Sequence, residues 1–392
     1  MKTINEKIED LKNEVVNLRR EIHMFPEIAF EEFRTSEIVY NYLNSVGLEV
    51  KKNVNKTGVV ADLIVNSSFE TVLLRADMDA LPIQEENNVP YKSKIPNRMH
   101  ACGHDAHTAM LLVAAKVISE YQNDLKANVR FLFQPSEEKD PGGALGMIKE
   151  GVLENPKVNY AFALHVSGFH EKNKVLIRGG IMTGEADEFA INVKGYGGHG
   201  AYPHKSIDPI LIASHIVIAS QSIVSRNIDP LKSVVLSFGK ISSGDVFNVI
   251  PGSAFLLGTV RSLEHEDSVF VKERLEMIAK NIASAFAGSA EMIYNFGYPP
   301  SINNEKATEY IRSIAREVVG EENLSEAPIS MGGEDMSYFL EKTKGAFYWL
   351  GALNKEKGIS YPNHSPKFDI DEDILTTGVK LHVLTVLNFK PY

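Results

Sequence analysis

The stretch Met99-His-Ala-Cys-Gly-His-Asp-Ala-His-Thr-Ala-Met110 carries three histidines and the only cysteine of the 392-residue chain. Imidazole nitrogen and thiolate sulfur are borderline-soft donors that suit zinc and similar divalent metals. Gly103 lets the backbone bend so that Cys102 and His104 can face one ion. Thr108 to Ile118 reads as a buried helix, so the donors sit where a loop enters a helix N-terminus, and the dipole there favours a thiolate. By themselves these residues have an ordinary explanation, because a lone cysteine is often a small core residue and a loop histidine is often solvated or hydrogen-bonded. Their meaning depends on the donors elsewhere in the chain.

Those donors follow strand-like runs. Arg75-Ala-Asp-Met-Asp79 follows Thr71 to Arg75, Gln134-Pro-Ser-Glu-Glu138 follows Val129 to Phe133, and His165 closes Tyr160 to His165. In open α/β sheets ligands gather at the carboxyl ends of strands. Asp77 and Asp79 alternate with Met78 and share a face in extended backbone. Glu137 and Glu138 are adjacent and point opposite ways if extended, which allows one to bind metal while its neighbour acts on water.

The elements that position these residues alternate between helix and strand. Apolar spacing predicts one amphipathic helix from about Ile4 to His23 and a second from about Thr35 to Val46, stopped at Gly47. Gly58 to Val65 and the runs above then predict a mostly parallel sheet covered by helices on both faces. From Glu188 the pattern changes to half-exposed strands: Glu188 to Lys194, a helix from about Ser206 to Ser225, Ser233 to Lys240, Ala254 to Arg261, a helix from about Glu266 to Ala287, and Ala290 to Phe296. This β-α-β-β-α-β order is the ferredoxin-like arrangement. The expected fold class is therefore α/β, with a discontinuous catalytic domain of residues 1–185 and 300–392 and an inserted α+β lid of residues 186–299. Tyr348 to Gly351 forms a late strand, and a final helix starts near Asp371.

A net charge of -10 without a long basic run argues against nucleic acid or an anionic membrane as partner and points to small molecules. One cysteine excludes an internal disulfide, the charged start lacks a signal-peptide core, and the apolar Pro209–Ser220 stretch is short for a bilayer span, so a cytoplasmic protein is expected.

Several motifs in fixed order, from Arg19-Arg-Glu-Ile-His-Met-Phe-Pro-Glu27 through Arg75 to Pro82, His100 to His107, Phe133 to Glu138, Gly197-Gly-His-Gly-Ala-Tyr-Pro-His204, Asn248-Val-Ile-Pro-Gly252, Met331-Gly-Gly-Glu-Asp-Met336 and Asn363-His364, resemble the co-catalytic dinuclear metallohydrolases of the aminoacylase, hippurate hydrolase and carboxypeptidase family. The resemblance is greatest to the subgroup with auxin-amino acid conjugate hydrolases, N-acyl-amino acid amidohydrolases and N-acetyldiaminopimelate deacetylases. It implies two divalent metal ions, zinc first and manganese, cobalt or nickel as alternatives, held by Cys102, His104, Glu138, His165 and His364 with Cys102 bridging. Glu137 matches the general base and Asp79 the residue that orients a ligand histidine. Asp77 stands where the wider family has a ligand histidine, so it is not assigned to the metal. His199 matches a lid histidine that polarises the substrate carbonyl, Asn248 and Arg261 match contacts to the substrate carboxylate, and Gly332 and Gly333 match cleft residues. The resemblance also implies a homodimer or higher homo-oligomer. The activity expected is hydrolysis of N-acyl amino acids. A carboxypeptidase acting on short or N-blocked peptides is the alternative, and a non-catalytic amino-acid or metal-binding protein is the reading from another class. His23, His100, His107, His204 and His215 are expected to cap or pack, and His170 and His265 to be exposed loop residues.

Overall fold

The computed structural model describes residues 3–391. The chain divides into two compact units, Met1–Met182 with Ile302–Pro328 and Asp335–Tyr392, and Thr183–Ser301 with Ile329–Glu334. The short segment Ile329–Glu334 groups with the second unit, whereas residues 300–392 were expected in the first.

The first unit is built on an eight-stranded sheet in the order Glu49–Val54, Gly58–Leu63, Asn128–Gln134, Thr71–Asp77, Val158–Glu171, Lys344–Leu353, Val175–Ile177, Leu324–Glu326. Its four central strands run parallel, and antiparallel pairs lie toward both edges. Successive residues of the central strands enter cores on opposite faces: Val72 and Leu74 join one and Leu73 the other, and Phe131 and Phe133 oppose Leu132. This two-sided burial is why these strands read as continuous apolar runs.

Several boundaries move. The first predicted helix is two, Ile4–Asp10 and Lys12–Met24, with Leu11 at the junction. The helix after Gly103 begins at His104 and runs to Glu120. His165 does not close its strand, which continues to Glu171 because Val166 and Ser167 go on pairing with Leu350 and Gly351. His170 lies in that strand and bonds Ser167 Oγ, and His265 opens a helix and meets Glu185, so neither is a loop residue.

The second unit is a four-stranded antiparallel sheet in the order Val234–Ser242, Ser253–Ser262, Glu185–Lys194, Ser289–Tyr298, with the helices Pro209–Ser222 and His265–Ala285 sharing its core. That is the ferredoxin-like connectivity. Ile212, Ala213 and Ile216 bury one side of the Pro209–Ser222 helix. A following turn extends this helical run to Asn227, 19 residues in all, so the run is longer than the apolar Pro209–Ser220 stretch alone.

One buried charge cluster ties helices to the loop that follows His364. Arg19, inside the helix Lys12–Met24, is fully buried and bonds Asp105 at 2.8 Å and Asp369 at 2.8 Å, and His23 Nδ1 lies 2.7 Å from Asp105. Burial opposes the ionised Asp105, but Arg19 and His23 outweigh it and hold this carboxyl far below the ordinary carboxylate range. A depressed carboxyl contributes stability that is complete above its unfolded pKa, about 4, and is lost as pH falls toward the folded value. Asp105→Asn is expected to cost roughly 3 to 5 kcal/mol by leaving Arg19 short of a partner. Denaturant titrations at pH 7 and pH 3 should show a smaller difference between variant and native protein at pH 3.

Candidate metal centre

The parallel register brings the donors to one level. Asp77 pairs with Gln134, so the turn carrying Glu137 and Glu138 leaves the sheet beside Asp77 and Asp79. Ala163 pairs with Arg75, which sets His165 two residues on, level with Asp77, and Trp349 pairs with His165 from the next strand. Gly103 precedes the helix with φ +89°, and a Cβ there would stand 2.2 Å from Val166 Cγ2. Backbone conformation and close approach both require glycine, and Cys102 is thereby delivered to His165: Sγ and Nε2 are 3.4 Å apart.

Hydrogen bonds fix which ring nitrogens are free. His104 Nδ1 donates to the Asp79 carbonyl at 2.9 Å, and His165 Nδ1 donates to the Val166 carbonyl at 2.8 Å. Each ring is left with Nε2 as the lone-pair nitrogen, the usual preparation of a ligand histidine. His104 Nε2 is buried and has no hydrogen-bond partner. Such an orphan calls for an explanation. Five sets of donor atoms lie within 4.8 Å of one another among the described residues: Cys102, His104 and His165; Cys102, Glu138 and His364; His104, Glu137 and Glu138; Asp77, His104 and His107; and Glu137, Glu334 and Asp335. His364 is exposed, has φ +67°, and places Nε2 3.2 Å from Glu138 Oε1.

The electrostatics favour a cation. Burial disfavours a charged ring at His104, yet Asp77, Asp79 and Glu138 overcome it and pull its pKa up to about 10. Burial and the carboxylates of Glu138, Glu137 and Asp77 push the Cys102 thiol well up. Without an ion these effects outweigh the helix dipole, and a divalent ion would reverse that balance. A set of N, O and S donors in a negative pocket, with a buried unpartnered imidazole nitrogen, fits divalent metal.

Asp77 and His107 are occupied elsewhere. Asp77 accepts from Arg75 Nη1 at 2.7 Å and from His107 Nδ1 at 2.5 Å, and His107 Nε2 accepts the Val166 amide at 2.8 Å. Burial opposes Asp77's charge, while His104, Arg75 and His107 hold its carboxyl well below the usual range. Arg75 also bonds Asp335 and Gln134. Asp79 accepts the amides of Glu137 and Glu138, both at 2.9 Å. Glu137 and Glu138 do not stand in extended backbone, because Ser136 takes φ +52° and bends the chain.

The second unit holds His199, Asn248, Arg261, Gly332 and Gly333. His199 pairs with Val249, the Asn248 carbonyl accepts the Gly200 amide, and His199 Nδ1 accepts the Ala201 amide at 3.0 Å, leaving Nε2 to carry the proton of a neutral ring. Arg261 is half-buried with no ion pair among the described residues. Burial lowers its pKa, against an opposing pull from Asp187. A Cβ on Gly333 would meet Ala186 at 2.8 Å.

Three contributors had no role in the sequence reading. Asn363 donates to the carbonyls of Cys102 and Val166 at 3.1 and 3.2 Å and accepts the Gly168 amide at 2.8 Å. Trp349, the only tryptophan, stands 5.1 Å from the His165 ring. Glu32 is buried and accepts the Ser136 amide. Adjacency to His364 was the signal available for Asn363; nothing local marked Glu32.

Residues 73–388 match Peptidase family M20/M25/M40. The chain belongs to this family. Among M20 relatives it is 40% identical over 343 residues to the hippurate hydrolase of Campylobacter jejuni, covering 87% of this chain and 88% of that one. It is 38% identical to thermostable carboxypeptidase 2 of Saccharolobus solfataricus, over 97% of this chain and 98% of the relative. A dinuclear metal-binding M20 peptidase of Bacillus subtilis superposes with TM-score 0.82 at 30% identity, over 97% and 98% of the two chains. This M20 protein is a metal-dependent hydrolase.

Removal of Cys102 tests the donor set without turnover. Metal-stripped protein titrated with Co²⁺ should develop thiolate-to-cobalt absorption and a change in Trp349 fluorescence. Cys102→Ala is expected to lack the absorption band and to bind less metal per chain, and a native spectrum in that variant would remove Cys102 from the ligands.

Proposed function

We propose that this M20 hydrolase cleaves the amide bond of N-acyl amino acids, releasing a carboxylic acid and the free amino acid. The observation that carries the reading is the pair of adjacent glutamates whose amides Asp79 holds together, both within reach of the candidate donor His104. Cys102, His104, Glu138, His165 and His364 would hold two divalent ions, zinc before manganese, cobalt or nickel. When bound, such ions supply Lewis acidity that brings the pKa of a water molecule to roughly 7.

Glu137 takes the proton of the attacking water and returns it to the leaving amine nitrogen, as base and then acid. Asp79 orients His104 through Nδ1, at 3.3 Å from its carboxylate and 2.9 Å from its carbonyl, and fixes the glutamate turn. In the second unit, His199 has Nε2 available as donor to the carbonyl oxygen as charge develops there, a kind of contact whose loss costs roughly 100- to 1000-fold. Arg261, without an internal carboxylate partner, takes the free carboxylate of the substrate bidentately with Asn248 beside it in the reading, and Gly332 and Gly333 line the cleft. A carboxypeptidase of short or N-blocked peptides is the second reading, favoured by similarity over nearly the full length of both chains to thermostable carboxypeptidase 2 of Saccharolobus solfataricus. The same donors serve both reactions, and the acyl pocket decides. A single cysteine kept as a thiolate ligand suits a reducing compartment, so the reading places the enzyme in the cytoplasm.

The deciding assay compares N-acetyl, N-benzoyl and N-carbobenzoxy amino acids with dipeptides, using metal-stripped protein reloaded with zinc, manganese or cobalt. Faster release from the acyl amino acids is expected; preference for blocked dipeptides would favour the carboxypeptidase, and no turnover with two ions bound would favour a binding protein. In the same assay Glu137→Ala should keep its metal and lose at least about 100-fold in kcat.

The homodimer expected from the family would use the second unit, where Ile210, Leu211 and Ile218 expose the outer side of an apolar helix. Light scattering after size exclusion should give twice the chain mass, and Ile218→Glu should shift it toward monomer; a native protein that is monomeric at micromolar concentration would remove this part of the reading.

A further inference from the structure

Glu32 is a carboxylate with no solvent exposure and no ion pair among the described residues, unlike Asp77, Asp105 and Asp335, which pair with arginines. Its partners are backbone amides and one hydroxyl. One carboxylate oxygen accepts the amides of Phe30 and Ser136, both at 2.9 Å, and the other accepts Thr57 Oγ1 at 2.5 Å. Burial and the nearby Asp79 push its pKa up to about 7, so the fold holds this charge at a cost.

Ser136 is the residue before Glu137 and takes the left-handed conformation, φ +52°. For a residue with a Cβ this conformation costs on the order of 1 to 2 kcal/mol and persists where the surroundings over-determine it. Here they do. The Ser136 amide ends on Glu32, the Glu137 and Glu138 amides end on the two oxygens of Asp79, and the Ser136 carbonyl accepts the Gly143 amide at 2.8 Å. Three consecutive amides of one turn are thus each fixed by a buried carboxylate. Asp79 holds the downstream half of the turn, and Glu32 holds the strained residue itself.

We propose that Glu32 is a positioning residue for Glu137: by anchoring the Ser136 amide it keeps the left-handed turn that sets where the Glu137 carboxylate stands. This rests on the reading of Glu137 as the general base. Relaxation of Ser136 to an ordinary backbone conformation would swing the next side chain, and displacement of a reacting group by about 1 Å can cost 100-fold in rate.

The clamp needs acceptors more than charge. A glutamine at position 32 keeps an oxygen for the two amides and turns its NH₂ toward Thr57 Oγ1, which can accept. An alanine provides neither. The strain also predicts a rescue, because glycine adopts φ +52° without penalty and makes the anchor less necessary.

The test compares Glu32→Ala, Glu32→Gln, the double variant Glu32→Ala with Ser136→Gly, and Glu137→Gln as metal-loaded proteins, on the best substrate of the panel above. Glu32→Ala should lower kcat by about 10- to 100-fold, with KM and metal per chain within about twofold of native. Glu32→Gln should recover most of that loss, and Ser136→Gly should restore kcat several-fold in the Glu32→Ala background. Native kcat in Glu32→Ala would overturn the proposal, as would parallel loss of metal and kcat, or a glutamine variant as impaired as the alanine. If Glu32→Ala fails to accumulate, Glu32→Asp is used, whose shorter side chain cannot reach Ser136 and Thr57 together; an unchanged kcat there would overturn the proposal equally. Native activity in Glu137→Gln would instead refute the base assignment and leave the geometry of the turn untouched.

Discussion

The carboxylate of Asp79 accepts two successive amides and lies 3.3 Å from the ring of His104, so the glutamate turn and a candidate donor histidine cannot be placed independently. A carboxylate buried in this way is stable because each oxygen finds N–H donors, and it imposes its own geometry on whatever supplies them. The rest of the centre follows from that constraint. His104 must turn Nε2 outward, and Asp77, deprived of a metal role, is satisfied by Arg75 and His107. The excess of negative charge that remains, with Asp77, Asp79, Glu137 and Glu138 buried or nearly so, is a standing preference for a cation.

Much of this was legible in the sequence, for physical reasons that differ by residue. The central strands could be read because both faces are buried, leaving long apolar runs, and their carboxyl ends could be read because charged residues follow those runs abruptly. The second unit was legible because its strands alternate, one face packed and one not. Cys102 and His104 announced themselves by type and spacing. What could not be read was every contribution made through backbone groups. Nothing in the local sequence of Glu32 says that its partner is an amide 104 residues away, and Asn363 acts on three backbone groups of two distant segments. At Cys102 the helix dipole, typically worth about 0.3 to 1 kcal/mol, is a smaller effect than burial beside several carboxylates, so without an ion the thiol is favoured.

Two kinds of charge burial coexist in the first unit and do different things. Around Arg19, cation and carboxylates pair and lock helices to the loop that precedes the last helix. Around Asp79 and Glu32, carboxylates meet amides and shape turns. The first kind holds elements together, and the second kind places side chains.

The strand that carries His165 is completed by Lys344–Leu353, which arrives only after the chain has passed through Thr183–Ser301 of the second unit. The entropy of closing such a loop grows only logarithmically with its length, so the insertion is tolerated at equilibrium. The kinetic consequence is heavier, because parallel pairing across a long sequence separation is slow to form. His364 and Asn363 lie beyond that late strand, so the proposed donor set is complete only in chains whose folding has finished. An ion held by that set would bind the native state in preference to the unfolded chain, and by mass action would withdraw completed molecules from the slow refolding equilibrium.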